Sequence, residues 1–228
     1  MDKQWNILLV DKSASMLINF KTVKKGIENL IKEQIENDSK DRFTLIAFSS
    51  DVVEIKDEYF PNISPVEDSQ ILGNGTTALY DAIGYVYEKI IESSEVNVVF
   101  TIITDGHENS SKTHDSDSIK KLKEEINETK KVNVTFIGSD ANCIRSNSSL
   151  ILKHANSSLN CEGDFNLALK TASRTMSNTI PDNVNDVNVK IDTSQSNEKM
   201  PFIKRQASYF VATPPPTSTC KRFCRLFH

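Results

Sequence analysis

Apolar residues form short continuous runs at four places in the chain and recur at helical spacing at four others. WNILLV (5–10), RFTLIAFS (42–49), NVVFTIIT (97–104) and VNVTFIG (132–138) do not alternate between apolar and polar, which is the pattern of strands buried on both faces. The β-branched content of 97–104 makes it the central strand. DVVEIKDE (51–58) follows 42–49 too closely for a crossover, so those two strands form a hairpin. Between the runs, Leu17, Phe20, Val23, Ile27, Leu30, Ile31 and Ile35 define an amphipathic helix over 17–35. Leu79, Ile83, Val86 and Ile90 do the same in TALYDAIGYVYEKII. So do Ile119, Leu122 and Ile126 in 114–131, where Asp115 or Asp117 is the candidate cap. A polar loop covers 61–75, and a final helix covers 164–180. Between them, 140–163 suits a short helix and a weak last strand near Ser158–Cys161.

Strands alternating with helices predict an α/β domain with a mainly parallel sheet over residues 1–180. After Pro181 the pattern stops. Residues 181–228 are rich in Asn, Asp, Ser and Thr and end in TPPPTSTCKRFCRLFH, the composition of a disordered tail. Within it only VNVKI (187–191) alternates as an edge strand would.

Composition changes this picture little. The 228 residues are 38% hydrophobic and 25% charged, as in ordinary globular chains. The net charge of −4 divides into −7 over 1–180 and +3 over 181–228, so no nucleic-acid partner is indicated. No secretory signal and no membrane-length apolar run is visible, and a cytoplasmic location with reduced thiols is expected for Cys143, Cys161, Cys220 and Cys224. Cys220, Cys224 and His228 are too few ligands to close a zinc site. The basic-apolar KRFCRLFH end suits membrane contact, lipidation or docking, but an unstructured end is the default.

The chemistry lies at the strand ends. In ILLVDKSASM the first run stops at Asp11, and Ser13 and Ser15 follow at alternate positions. IITDGHEN ends the central strand at Asp105, and GNGTTALYDAI brings Thr76 and Thr77 to a helix start. In parallel sheets ligands sit beyond the carboxyl ends of strands. Carboxylates and hydroxyls alone, without imidazole or thiolate, suit Mg²⁺ or Mn²⁺, with Ca²⁺ behind them. His107, Asp81 and Asp51 are read instead as a solvated loop histidine, a structural hydrogen-bonding acid and a turn residue.

Asp11-x-Ser13-x-Ser15, GNGTTALYDAI and ITDGHENSS together resemble the von Willebrand factor type A domain, over about residues 4–180. VTFIGSDAN and ALKTASRTMSN are similar to the last third of its intracellular and microbial members. Ala14 stands where that family's motif usually has Gly. The resemblance implies a doubly wound sheet with helices on both faces and one antiparallel edge strand. It also implies a metal held by Asp11, Ser13, Ser15, Thr77 and Asp105, completed by an Asp or Glu of a partner protein, with selectivity supplied by loops such as 107–114 and 139–148. A non-enzymatic protein-binding module is therefore expected. Two alternatives stand beside it: a metal-dependent hydrolase or phosphotransferase using Asp11, and a scaffold whose tail does the binding. Ser at position 13 lacks the second acid of a D-x-D nucleophile, and no P-loop is present.

Overall fold

A computed structural model describes residues 3–162 and 164–177. The tail expected over 181–228, its strand at 187–191 and the last residues of the 164–180 helix lie outside the described residues. The chain begins with β1 (Gln4–Asp11), a 3₁₀ turn at Ala14–Ile18 and α1 (Phe20–Glu36). The hairpin β2 (Arg42–Phe48) and β3 (Val52–Tyr59) follows, then a 3₁₀ turn at Phe60–Asn62 and a short helix α2 (Asp68–Ile71). Next come α3 (Leu79–Glu92), β4 (Asn97–Thr104), α4 (Ser116–Thr129) and β5 (Lys131–Gly138). Two short helices, α5 (Ala141–Ser146) and α6 (Ser148–His154), lead to β6 (Ser157–Asn160) and α7 (Phe165–Met176).

The six strands lie in the order β3-β2-β1-β4-β5-β6. All pairs are parallel except β2–β3, the antiparallel edge. Alternate residues of each strand feed two cores. Trp5, Ile7 and Leu9 of β1, with Phe100 and Phe136, pack beneath α3, α4 and α6. Leu8 and Val10, with Phe43, Val99 and Ile137, pack beneath α1 and α7. Burial on both faces explains the continuous apolar runs, since neither parity of a strand meets water. Each wholly buried Leu or Ile adds about 1.5–3 kcal/mol of hydrophobic stabilisation.

The predicted strands and the central place of 97–104 match the structure. Three details differ, and one choice between two expected caps is decided. The helix expected from residue 17 starts at Phe20, because Asn19 closes the preceding 3₁₀ turn and precedes α1. Leu17 and Ile35, counted in the apolar stripe, are 50% and 42% exposed. Asp115, and not Asp117, caps α4, its carboxylate accepting from the backbone N–H groups of Asp117 and Ser118. The 61–75 loop contains α2, closed by a capping box between Glu67 and Gln70.

The crossover from β1 through α1 leads to β2, on one side of β1, whereas the chain next reaches β4 on its other side. The strand order therefore reverses between β1 and β4, and a crevice opens above their carboxyl ends. Asp11 ends β1, and Asp105 follows β4 directly.

Candidate metal centre

The five oxygen-bearing residues expected at the strand ends come together in that crevice. The Ser15 Oγ donates to Asp105 Oδ1 at 2.6 Å, across 90 residues of sequence. The Ser13 and Ser15 hydroxyls are 3.2 Å apart. Thr77 is buried, and its Oγ1 and the Ser15 Oγ both face Gly106, 3.4 and 3.8 Å from where a Cβ on that glycine would stand. Thr76 is exposed, so of the two threonines Thr77 is the one facing the crevice.

The backbone holds these groups without help from long side chains. Asp11 is 1% exposed, and its Oδ1 accepts the Ser13 N–H at 2.7 Å, which fixes the sharp turn out of β1. The Ala14 N–H donates to the Gly75 carbonyl, so the turn is tied to the GNG loop. Gly75 sits at φ 94°, in the left-handed region that favours glycine. A Cβ on Gly73 would stand 2.4 Å from the Lys12 carbonyl oxygen, so only glycine lets the two segments approach this closely.

Residues outside the five-oxygen set position it. The Thr104 hydroxyl donates to Asp11 Oδ2 at 2.6 Å. Asn19 Nδ2 approaches Asp105 Oδ2 at 3.4 Å. Asn109 Oδ1 accepts the Thr77 N–H, and the Thr77 carbonyl accepts the Asn109 N–H. Glu108 accepts the backbone N–H groups of Tyr80, Ser110 and Ser111, and Asp81 accepts those of Lys112, Thr113 and His114. The loop after β4 is thus latched onto the first turn of α3. Asp81 has the structural role read for it, and Asp51 makes the expected turn contact with Ser49. His107 is exposed and its ring contacts the Ser146 hydroxyl.

Burial raises the Asp11 pKa above the ordinary carboxylate value; hydrogen bonds from Thr104 and Ser13 oppose this, and the charge of Asp105 adds to it. Among the described residues no Lys, Arg or His lies within ion-pair distance of either acid. Two carboxylates face one crevice with no cation between them. Each oxygen of an ionised carboxylate has two lone pairs, so the hydrogen bonds to Asp11 leave acceptor capacity. The donor set is entirely hard oxygen and fits Mg²⁺ or Mn²⁺ chemically. No group of three or more His, Cys, Asp or Glu side chains suited to a metal occurs among the described residues. Any ion here would therefore depend on hydroxyls for most of its protein ligands.

A mostly parallel sheet with one antiparallel edge, flanked by helices and with a polar crevice at its switch point, defines a doubly wound α/β domain. The chain belongs to the von Willebrand factor type A domain family, whose model matches residues 7–154. No curated protein matches it significantly. Solved structures share the fold at low identity. The PilB minor pilin from Streptococcus sanguinis has a TM-score of 0.59 at 11% identity, over 77% of this chain and 61% of that one. The pilus adhesin SpaC from Lactobacillus rhamnosus GG, in its open conformation, has a TM-score of 0.58 at 14% identity, over 77% and 30% of the two chains. A von Willebrand factor type A protein from Catenulispora acidiphila has a TM-score of 0.50 at 12% identity, over 77% and 43%. This chain spans less than two thirds of each of these three. Among the described residues no helix is long and apolar enough to cross a membrane.

Proposed function

We propose that this domain is a non-enzymatic, divalent-metal-dependent protein-binding module. Mg²⁺ or Mn²⁺ is held by Asp11, Ser13, Ser15, Thr77 and Asp105, directly or through water, and an Asp or Glu side chain of the partner protein completes the shell. The observation that carries this reading is the pair of acids at the switch point, one of them buried, facing hydroxyls and, among the described residues, no cation within ion-pair distance. A dication placed there relieves their repulsion and the burial cost of Asp11. Mg²⁺ loses its last waters reluctantly, which leaves a position for an outside carboxylate. Both Asp11 oxygens are engaged by Ser13 and Thr104, which suits a ligand held in place better than a free nucleophile.

When bound, the ion supplies a focused positive charge. The chain's own groups orient it: Thr104 and the Ser13 N–H hold Asp11, and Asn109 holds the backbone of Thr77. Calorimetric titration of Mg²⁺ and Mn²⁺ into the protein should give one-to-one binding, weakened by about 100-fold or more in Asp11→Ala. Equal binding by wild type and variant would sink the reading. Phosphoester turnover that disappears in Asp11→Asn would replace the binding module with a hydrolase.

A further inference from the structure

Beside the candidate metal centre the surface turns apolar in a way the fold does not require. The Ala14–Ile18 turn sends Met16 into the core and the next two side chains outward, leaving Leu17 50% and Ile18 92% exposed. Across a recess stands Leu72, 47% exposed, just after α2. Single exposed apolar residues are commonplace. Here two of them, Leu17 and Leu72, line one recess, while Ile18 is exposed on the same turn as Leu17. The recess is walled by Leu17, Leu72 and Gly73 and also by Asp11, Lys12 and Ser13. It is continuous with the crevice holding the oxygens. Its enclosed part is small, about 10 Å³, room for about one water molecule or one methyl group.

We propose that this recess is a specificity subsite for the metal-dependent partner: it receives an aliphatic side chain within two residues of the partner's Asp or Glu. The inference rests on the metal-dependent reading above. One partner segment then makes two contacts, its carboxylate on the ion and an aliphatic methyl in the recess against Leu17 and Leu72. The positive charge of Lys12 in the wall complements the acidic segment. Selectivity therefore lies at 14–18 and 71–73. Of the loops 107–114 and 139–148, where the family resemblance would place it, the first is pinned to α3 by its own hydrogen bonds.

Selection of a random peptide phage library on the full chain, with Mg²⁺ at about 5 mM or with EDTA in its place, reads both contacts at once. The expected result is Mg²⁺-dependent enrichment of peptides carrying an acid with Leu, Ile or Val one or two positions away. Synthetic copies should bind Leu17→Ser and Leu72→Ser about 5–10-fold more weakly, with Mg²⁺ affinity unchanged. Both substitutions are at exposed positions, and calorimetric Mg²⁺ binding reports that the variants are folded. Enrichment of acidic peptides with no aliphatic neighbour overturns the subsite and leaves the metal reading standing. Basic or purely apolar peptides, or no Mg²⁺-dependent enrichment, overturn both.

Discussion

Two acids at opposite ends of the same sheet are treated in opposite ways. Asp57, at the end where β1 begins, faces Arg42, which donates through Nε and Nη2 to its two oxygens at 2.8 and 2.7 Å. The Thr44 hydroxyl and Lys89 also reach it, and the Arg42 guanidinium lies over the Trp5 ring, 4.2 Å from its centroid. Burial raises the Asp57 pKa, but Arg42 and Thr44 outweigh it and hold the carboxyl below its ordinary value. Asp11, at the other end, is more deeply buried and receives only a backbone N–H and a hydroxyl, and its pKa is raised. One carboxylate is neutralised within the protein and serves the fold. The other is buried with no cationic partner among the described residues, and that burial raises its pKa.

If unpartnered burial is what separates the two acids, a buried base without a partner should show the largest pH effect on stability. His154, at the end of α6, is that base. Among the described residues both ring nitrogens lack a hydrogen-bond partner, and Tyr87 of α3 lies 6.5 Å away, centroid to centroid. Burial, with Lys123 and Lys120 of α4 and the adjacent Lys153, pulls its pKa down to about 4. A base depressed in the fold stabilises it above the unfolded pKa, about 6.5, and that stability is lost as the pH falls toward 4. Urea unfolding should lose about 3 kcal/mol over that window in wild type relative to His154→Leu. An equal loss in both proteins would remove His154 as the cause.

Asp57→Asn tests the paired end. It leaves Arg42 and Lys89 facing a neutral amide and should lower stability by about 2 kcal/mol at pH 7, measured by urea unfolding. The sign follows from the depressed pKa: the contribution is present above the unfolded carboxylate value and is lost as the pH falls below it. A neutral outcome would mean that desolvation of the pair already offsets its attraction, and the contrast with Asp11 would rest on Asp11 alone.

The two ends also differ in how much of them can be read from the sequence. Asp11, Ser13 and Ser15 lie within five residues, and Thr77 and Asp105 each sit in a recognisable local run, so the oxygen set is visible in one dimension. The Asp57 network is not. Arg42, Thr44, Asp57, Lys89 and Trp5 share no motif, and only the β2–β3 register places Thr44 opposite Asp57. Thr104 was hidden for a related reason. In NVVFTIIT it counts as one more β-branched strand residue, and its bond to Asp11 spans 93 positions. The strands were legible because burial on both faces gives an unbroken apolar run. The start of α1 was not, because Leu17 continues the helical spacing and yet faces water beside the crevice.

Asp11→Asn is the smallest expected change in stability and the sharpest test of the comparison. The amide keeps the shape of the carboxylate: its oxygen can still accept the Ser13 N–H, and the Thr104 hydroxyl can rotate to accept from its nitrogen. The buried charge and its repulsion with Asp105 are gone. In EDTA the variant should melt about 2–4 °C above wild type, corresponding to about 1 kcal/mol. Because the raised pKa means that the fold holds the Asp11 proton more tightly than the unfolded chain does, metal-free wild type should also lose stability as the pH rises through the carboxylate range, and Asp11→Asn should not. Adding Mg²⁺ should reverse the order, raising the wild-type melting temperature and leaving the variant unchanged. A variant that melts below wild type in EDTA would mean that Asp11, like Asp57, holds the fold together, and the two ends of the sheet would no longer differ in kind.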